Sequence, residues 1–446
     1  MAAPSAVLMR RAAALLLFLF PWVLAAQQGV PWHEGMAGYH DATLELARFC
    51  RDKSLFSECR RLARAAQKAA PGPAAELVAA CEGKPDNYVA ASWGEYLDKA
   101  EALGAMRAAA AEQAGQPPET VLALDPAHKG ARERCGQLWL DGVGWLERAE
   151  HERLAPCVLK LEPAPQKPER DATWLAPWVL QGPHFTLVTD LPWARALKYA
   201  KLLQRFQGVF AATLGDVIPS RAGPHVVWCC KEAATFVKFS ADLGFPLGET
   251  NAGLHVGALG AVLINAQRCD EVGKLNRAKD NLARTLYHEC THRLVESGLR
   301  PRGASPWELA MTSEHAWIVE AMAVVFEGLE ISDKSHTLKG LEAQRTYTIQ
   351  KFWKGEKGAV PELAPVLAQG HAGFATEQPI SSAQKYALAG SVAWFCLFVK
   401  KDTLRKPLLA LLVDYYRCDT GQADFKTRFG LELAALEKDW KAWVLK

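Results

Sequence analysis

His288-Glu-Cys-Thr-His292 is a stretch in which residue types and spacing could do chemistry. On a helix, residues four apart lie on one face, so both imidazoles can reach one ion while Glu289 projects beside them toward a water on that ion. Zinc held by three protein ligands keeps its fourth position for water and lowers that water's pKa to roughly 7. A neighbouring carboxylate can then take the proton as attack on a carbonyl begins. Two histidines are therefore not enough. Glu296 shares their face, but it lies another turn along, and three ligands strung over two turns cannot converge on one ion. Cys290 lies well round the helix from both histidines and reads as packing.

The third ligand has to come from a second helix. Trp317-Ile-Val-Glu-Ala-Met-Ala-Val-Val-Phe-Glu327 offers one, because Trp317, Glu320, Ala323, Val324 and Glu327 share a stripe that is otherwise apolar. A carboxylate buried there needs a partner, such as a metal. Glu314 and His315 precede Glu320 by six and five residues, which puts them about 120° and 140° round the helix from it. The expected ligand set is therefore His288, His292 and Glu320, with zinc as the cofactor.

The elements that must position these residues are legible in outline. The spacing predicts one helix from about Glu271 to Ser297 carrying the motif, with Leu282, Leu286 and Leu294 as its apolar stripe and Gly298 placed to end it. Upstream, His184–Thr189 and His225–Cys230 read as strands around an amphipathic helix through Leu197, Leu203, Phe206 and Phe210. A helix over about Lys231–Leu243 follows, then one or two short strands in Gly253–Asn265, with Ala261–Asn265 the clearest. Beyond Glu271 the pattern is almost exclusively helical. Residues 27–162 read as an all-α domain, with Leu46, Cys50, Leu55, Cys59, Leu62 and Ala66 at helical spacing and a partial tetratricopeptide-type rhythm in Leu46-Ala-Arg48 and Leu62-Ala-Arg64. The proline-rich stretch from Pro163 to Pro168 marks a linker, placed at 163–175. The fold class is thus α+β and mostly helical: a small sheet, the motif helix and a helical lobe over 176–446, behind a helical domain.

With both motifs in view, His288-Glu-Cys-Thr-His292 followed by Trp317-x-x-Glu320-Ala-x-Ala323-x-x-Phe326-Glu327 resembles the gluzincin metallopeptidases of the thermolysin-type clan, in particular their exported peptidase-MA-like branch. That branch usually has Gly directly after the glutamate, and Ala321 stands here. The metzincin pattern would need Gly and His at 295 and 298, where this chain has Val295 and Gly298. The resemblance spans about 180–446 and implies peptide-bond hydrolysis with Glu289 as general base. It implies that Ala261–Asn265 is the edge strand that binds extended substrate, and that Tyr386 donates to the oxyanion, with His315 as its competitor.

Composition sets the remaining bounds. Arg10 and Arg11, the apolar run Ala12–Leu24 and Leu24-Ala25-Ala26 read as a cleaved export signal over 1–26. No later stretch is long and apolar enough to span a bilayer. A formal charge of +3 gives nucleic acid binding no support. Eleven cysteines in an exported chain permit disulfides, with Cys50–Cys59 and Cys396–Cys418 as candidate staples. The expected partners are a peptide or protein substrate and a protein bound by the helical repeats. The rival reading keeps only the second: a helical-repeat binding module with an inactive or structural metallopeptidase-like domain.

Overall fold

The computed structural model describes residues 37–163, 165–221, 223, 225–275, 280–300, 315–332, 335–340, 345, 349, 362–374, 376, 380–417 and 425–445. The export signal, Glu314 and Cys418 lie outside the described residues. Among the described residues six helices come first: α1 (Ala37–Asp52), α2 (Phe56–Ala66), α3 (Pro71–Cys81), α4 (Ala90–Gln113), α5 (Pro118–Leu124) and α6 (Lys129–Arg134). Leu46, Cys50, Leu55, Cys59, Leu62 and Ala66 are all buried, as their spacing requires. Among the described residues Cys50 and Cys59 are not joined, and the Cys396–Cys418 pair cannot be placed because Cys418 lies outside them. All ten described cysteines are free thiols, and Cys59 turns its Sγ toward the Leu77 carbonyl of α3, 4.0 Å away, while Cys50 packs in α1.

The all-α reading of 27–162 needs correction. After α6 come an antiparallel hairpin, β1 (Gln137–Leu140) and β2 (Gly144–Glu147), then α7 (Arg148–Leu154) and β3 (Val158–Lys160). Asp141-Gly142 makes the hairpin turn, with Gly142 and Gly144 at φ of 76° and 109°, values that glycine adopts without a Cβ clash. The proline-rich segment follows, and β3 pairs across it in parallel with β4 (Trp178–Gln181).

Next come β5 (Phe185–Thr189), α8 (Trp193–Leu214), β6 (His225–Cys230), α9 (Ala233–Asp242), β7 (Gly253–Val256) and β8 (Ala261–Asn265). The six strands form one mixed sheet in the order β3-β4-β5-β6-β8-β7. Both faces of the sheet are covered: Val227, Cys229, Val262 and Ile264 face one core, and Val226, Trp228, Ala261 and Leu263 face the other. Ala261–Asn265 is therefore an interior strand and not the edge. Its uninterrupted apolar run is what burial on both faces demands, and β7, folded back antiparallel on it, takes the edge.

The motif helix is preceded by a break. Instead of one helix from Glu271, there are α10 (Ala266–Leu275) and α11 (Asn281–Leu299), and the Asp280 side chain caps α11 by accepting from the Ala283 amide at 3.0 Å. Gly298 does not terminate α11, which runs to Leu299. A Cβ at Gly298 would fall 2.6 Å from the Pro219 carbonyl oxygen, so this glycine admits a close crossing. The helical lobe contains α12 (Trp317–Glu327), the short hairpin β9 (Leu329–Ile331) and β10 (His336–Leu338), α13 (Leu363–Leu367), α14 (His371–Phe374), α15 (Ser382–Trp394), α16 (Lys401–Arg417), α17 (Phe425–Phe429) and α18 (Leu433–Val444). Every residue of α12 is buried, held between α11 and α15. Among the described residues, no helix is long and apolar enough to cross a membrane.

Candidate metal centre

The i, i+4 spacing of α11 and the central position of α12 bring His288, His292 and Glu320 to one point, and all three are buried. His288 Nε2 lies 3.2 Å from His292 Nε2 and 3.2 Å from Glu320 Oε2, and His292 Nε2 lies 3.6 Å from the same carboxylate oxygen. Whether three donors can share an ion is a question of these separations. An ion held tetrahedrally at about 2.0–2.1 Å needs donors about 3.4 Å apart, and the three edges here bracket that value. The group can hold a metal ion.

Electrostatics point the same way. Burial would raise the Glu320 pKa, but the charge of His292 and the hydrogen bond from His288 hold it well below the ordinary carboxylate value. On its other side the His288 ring bonds through Nδ1 to Glu327 Oε1 at 2.8 Å. This contact fixes the tautomer that leaves Nε2 facing Glu320 and His292. Burial alone would lower the His288 pKa, yet Glu320 and Glu327 together push it up to about 10. Glu327 in turn accepts from Arg345 Nε at 2.6 Å and Arg284 at 3.2 Å. Against its burial, Arg345 and His288 hold it far below the usual carboxylate range.

Glu327 is the supporting carboxylate that sequence reasoning did not assign. Its signal was present: it stands seven residues after Glu320 on the same stripe of a wholly buried helix, and an ionised group there needs partners as much as Glu320 does. The two arginines that compensate it come from α11 and from Arg345, which no local pattern links to it.

Glu289 is buried on α11, and a Cβ at Gly253 would sit 3.0 Å from its Cγ. The bare backbone of β7 therefore runs directly against this glutamate. Tyr386, on α15, places its ring centroid 6.1 Å from that of His288 and lies under the Arg345 guanidinium at 5.0 Å. The charge of Glu320, then burial, raises its hydroxyl pKa well above the ordinary value, so the phenol keeps its proton. His315 sits just ahead of α12 with a φ of 74° and is not part of the metal-binding group. Cys290 is wholly buried and also outside the group.

Glu296 does not reach the ion position. Its Oε2 meets His255 Nε2 of β7 at 3.1 Å and its Oε1 meets Arg300 at 3.6 Å. Burial would raise its pKa, but His255, Arg300 and Arg293 hold it at about 2. The His255 ring lies nearly parallel to that of His292, with centroids 6.4 Å apart and planes at 25°. No protein-family model matches the chain, and no curated protein matches it.

Proposed function

We propose that the chain is an exported zinc metallopeptidase of the gluzincin type, hydrolysing peptide bonds with a water activated at His288, His292 and Glu320. The observation that carries this reading is the triangle of Nε2, Nε2 and Oε2 atoms at tetrahedral spacing. Two imidazoles and one carboxylate are a zinc donor set, whereas magnesium and calcium prefer six or more oxygens. When bound, the zinc would polarise the scissile carbonyl and acidify a water to a pKa of roughly 7.

The chain's own residues supply the rest. Glu289 accepts the proton of the attacking water and passes it to the leaving amine. Tyr386, which remains protonated, donates to the developing oxyanion. Glu327 orients His288 by accepting from Nδ1. The strand that offers its backbone to an extended peptide is β7, because it is the edge of the sheet and touches α11 at Glu289. Export rests on the basic, apolar and small-residue order of the N-terminus.

The test is paired. The purified mature protein should contain about one zinc per chain and cleave a general peptide library. Glu289→Gln should keep the zinc and lose the cleavage, since this residue moves protons and does not ligate the ion. Undiminished turnover in Glu289→Gln would overturn the role of the glutamate, and a wild-type chain without zinc would overturn the reading as a whole.

A further inference from the structure

The helices ahead of the sheet are joined to the candidate metal centre by a line of buried contacts, polar as far as His255 and a ring contact from there to His292. It starts at Asp86, between α3 and α4, whose Oδ1 accepts from the Ser57 amide at 2.7 Å and whose Oδ2 meets Arg417 at 2.5 Å. Both side chains of that pair are nearly shut off from solvent, at 2% for Arg417 and 10% for Asp86. Arg417 ends α16, and the carbonyl of the preceding Tyr416 accepts from Arg300 Nε at 3.0 Å. Arg300 meets Glu296, Glu296 meets His255, and His255 lies ring to ring with His292. A second contact runs beside it. The Arg417 guanidinium covers the Trp93 ring at 4.6 Å, and Trp93 Nε1 donates to the carbonyl of Leu299, the last residue of α11, at 3.2 Å.

Buried ion pairs are a weak source of stability, since apolar side chains of similar volume often do as well. What they do provide is register. A buried guanidinium displaced from its carboxylate is costly, so the Asp86–Arg417 and Glu296–Arg300 pairs favour the arrangement in which both are kept. Two of its links, Arg300 to Tyr416 and Trp93 to Leu299, hold the C-terminal end of α11. The last two, through Glu296 and His255, tie α11 to β7 beside His292.

We propose that Asp86, Arg417, Arg300, Glu296 and His255 are positioning residues through which the N-terminal helices set the placement of His292, so that these helices are part of the metal centre's scaffold. This rests on the metallopeptidase reading only in its use of zinc binding at His288, His292 and Glu320.

Zinc affinity of the full-length protein, measured by chelator competition at a temperature where circular dichroism shows each variant folded, tests it. Asp86→Asn keeps an acceptor for Ser57 but removes the charge from Arg417. Glu296→Gln cuts the same line beside His255. Each should weaken zinc binding roughly 3- to 30-fold, the range expected for residues that act through others, and the double variant should be no weaker than the worse single one. Glu101→Gln is the control. It removes a carboxylate from Arg221, another contact between α4 and the rest of the chain at 2.9 Å, and should leave zinc affinity unchanged even where it lowers the melting temperature. If Asp86→Asn does not fold, Arg300→Lys takes its place, because it replaces the two nitrogens that reach Tyr416 and Glu296 separately with a single one. Unchanged affinity, additive losses in the double variant, or an equal loss in Glu101→Gln would each overturn the proposal. Wild-type protein that binds no zinc would instead overturn the functional reading beneath it.

Discussion

Raising the pH of the metal-free protein from 6.5 toward 9 should destabilise it through a single imidazole. His288 is buried between Glu320 Oε2 at 3.2 Å and Glu327 Oε1 at 2.8 Å, and despite the cost of burial the two carboxylates raise its pKa to about 10. In the unfolded chain the same group titrates near 6.5. Between those values the folded, metal-free protein binds one more proton than the unfolded one. Stability is fully present below pH 6.5 and falls as the pH rises toward 10. The slope is about 1.4 kcal/mol per pH unit, which amounts to on the order of 5 kcal/mol over the window.

Zinc changes the sign of the argument, because it requires the neutral imidazole. Binding must release the His288 proton, so affinity should rise about tenfold per pH unit over the same window. At a fixed free zinc concentration that gain offsets the loss, and the loaded protein should show no slope from this group. The assay is urea unfolding of chelator-treated and zinc-buffered protein at pH 6.5, 7.5 and 8.5, with calorimetry in buffers of different ionisation enthalpy to count the released proton. Parallel stability curves for the two forms, or zinc binding without proton release, would mean that His288 is neutral in the metal-free fold and would refute the account of its two carboxylates.

Three substitutions probe the neighbouring groups. Glu327→Gln should weaken zinc binding 10- to 100-fold, the usual cost of losing the partner of a ligating histidine, and should flatten the pH dependence above; unchanged affinity by chelator competition would show that the contact is incidental. Glu320→Ala should lose zinc and activity, while His315→Ala and Glu314→Ala retain zinc, and metal analysis of the three variants would reverse the assignment if full occupancy survives only in Glu320→Ala. Tyr386→Phe should keep zinc and KM but lower kcat by 10²–10³-fold if its hydroxyl faces the oxyanion; an undiminished kcat would remove it from the mechanism.

The grouping of His288, His292 and Glu320 was legible in the sequence because each of the three announces itself locally. His288 and His292 stand one helical turn apart, and Glu320 interrupts an apolar stripe, so a local period places all three. Gly298, by contrast, looks like a helix stop in sequence, whereas in the fold it clears the way for Pro219. The edge strand was misplaced for a related reason. An unbroken apolar run such as Ala261–Asn265 stands out because it is buried on both faces, and that burial excludes it from an edge. Gly253–Val256 is inconspicuous in composition because it is only half buried, and among the described residues it pairs on one side alone. Residues that act across the fold left no local trace. Arg300, one turn after Glu296 at the end of the same helix, is the local exception, whereas Arg345 and Arg284 share Glu327 from 18 and 43 positions away, and His255 meets Glu296 from β7. Such pairs are set by the crossing of α11 with α12 and β7, so periodicity can show that a buried carboxylate needs a cation without showing which one. Glu320 and Glu296 are both buried carboxylates in need of a partner, Glu296 on the histidines' own helix and Glu320 on α12. What separates them is the partner that tertiary packing delivers: two imidazole nitrogens within 3.6 Å for Glu320, against His255 and Arg300 for Glu296.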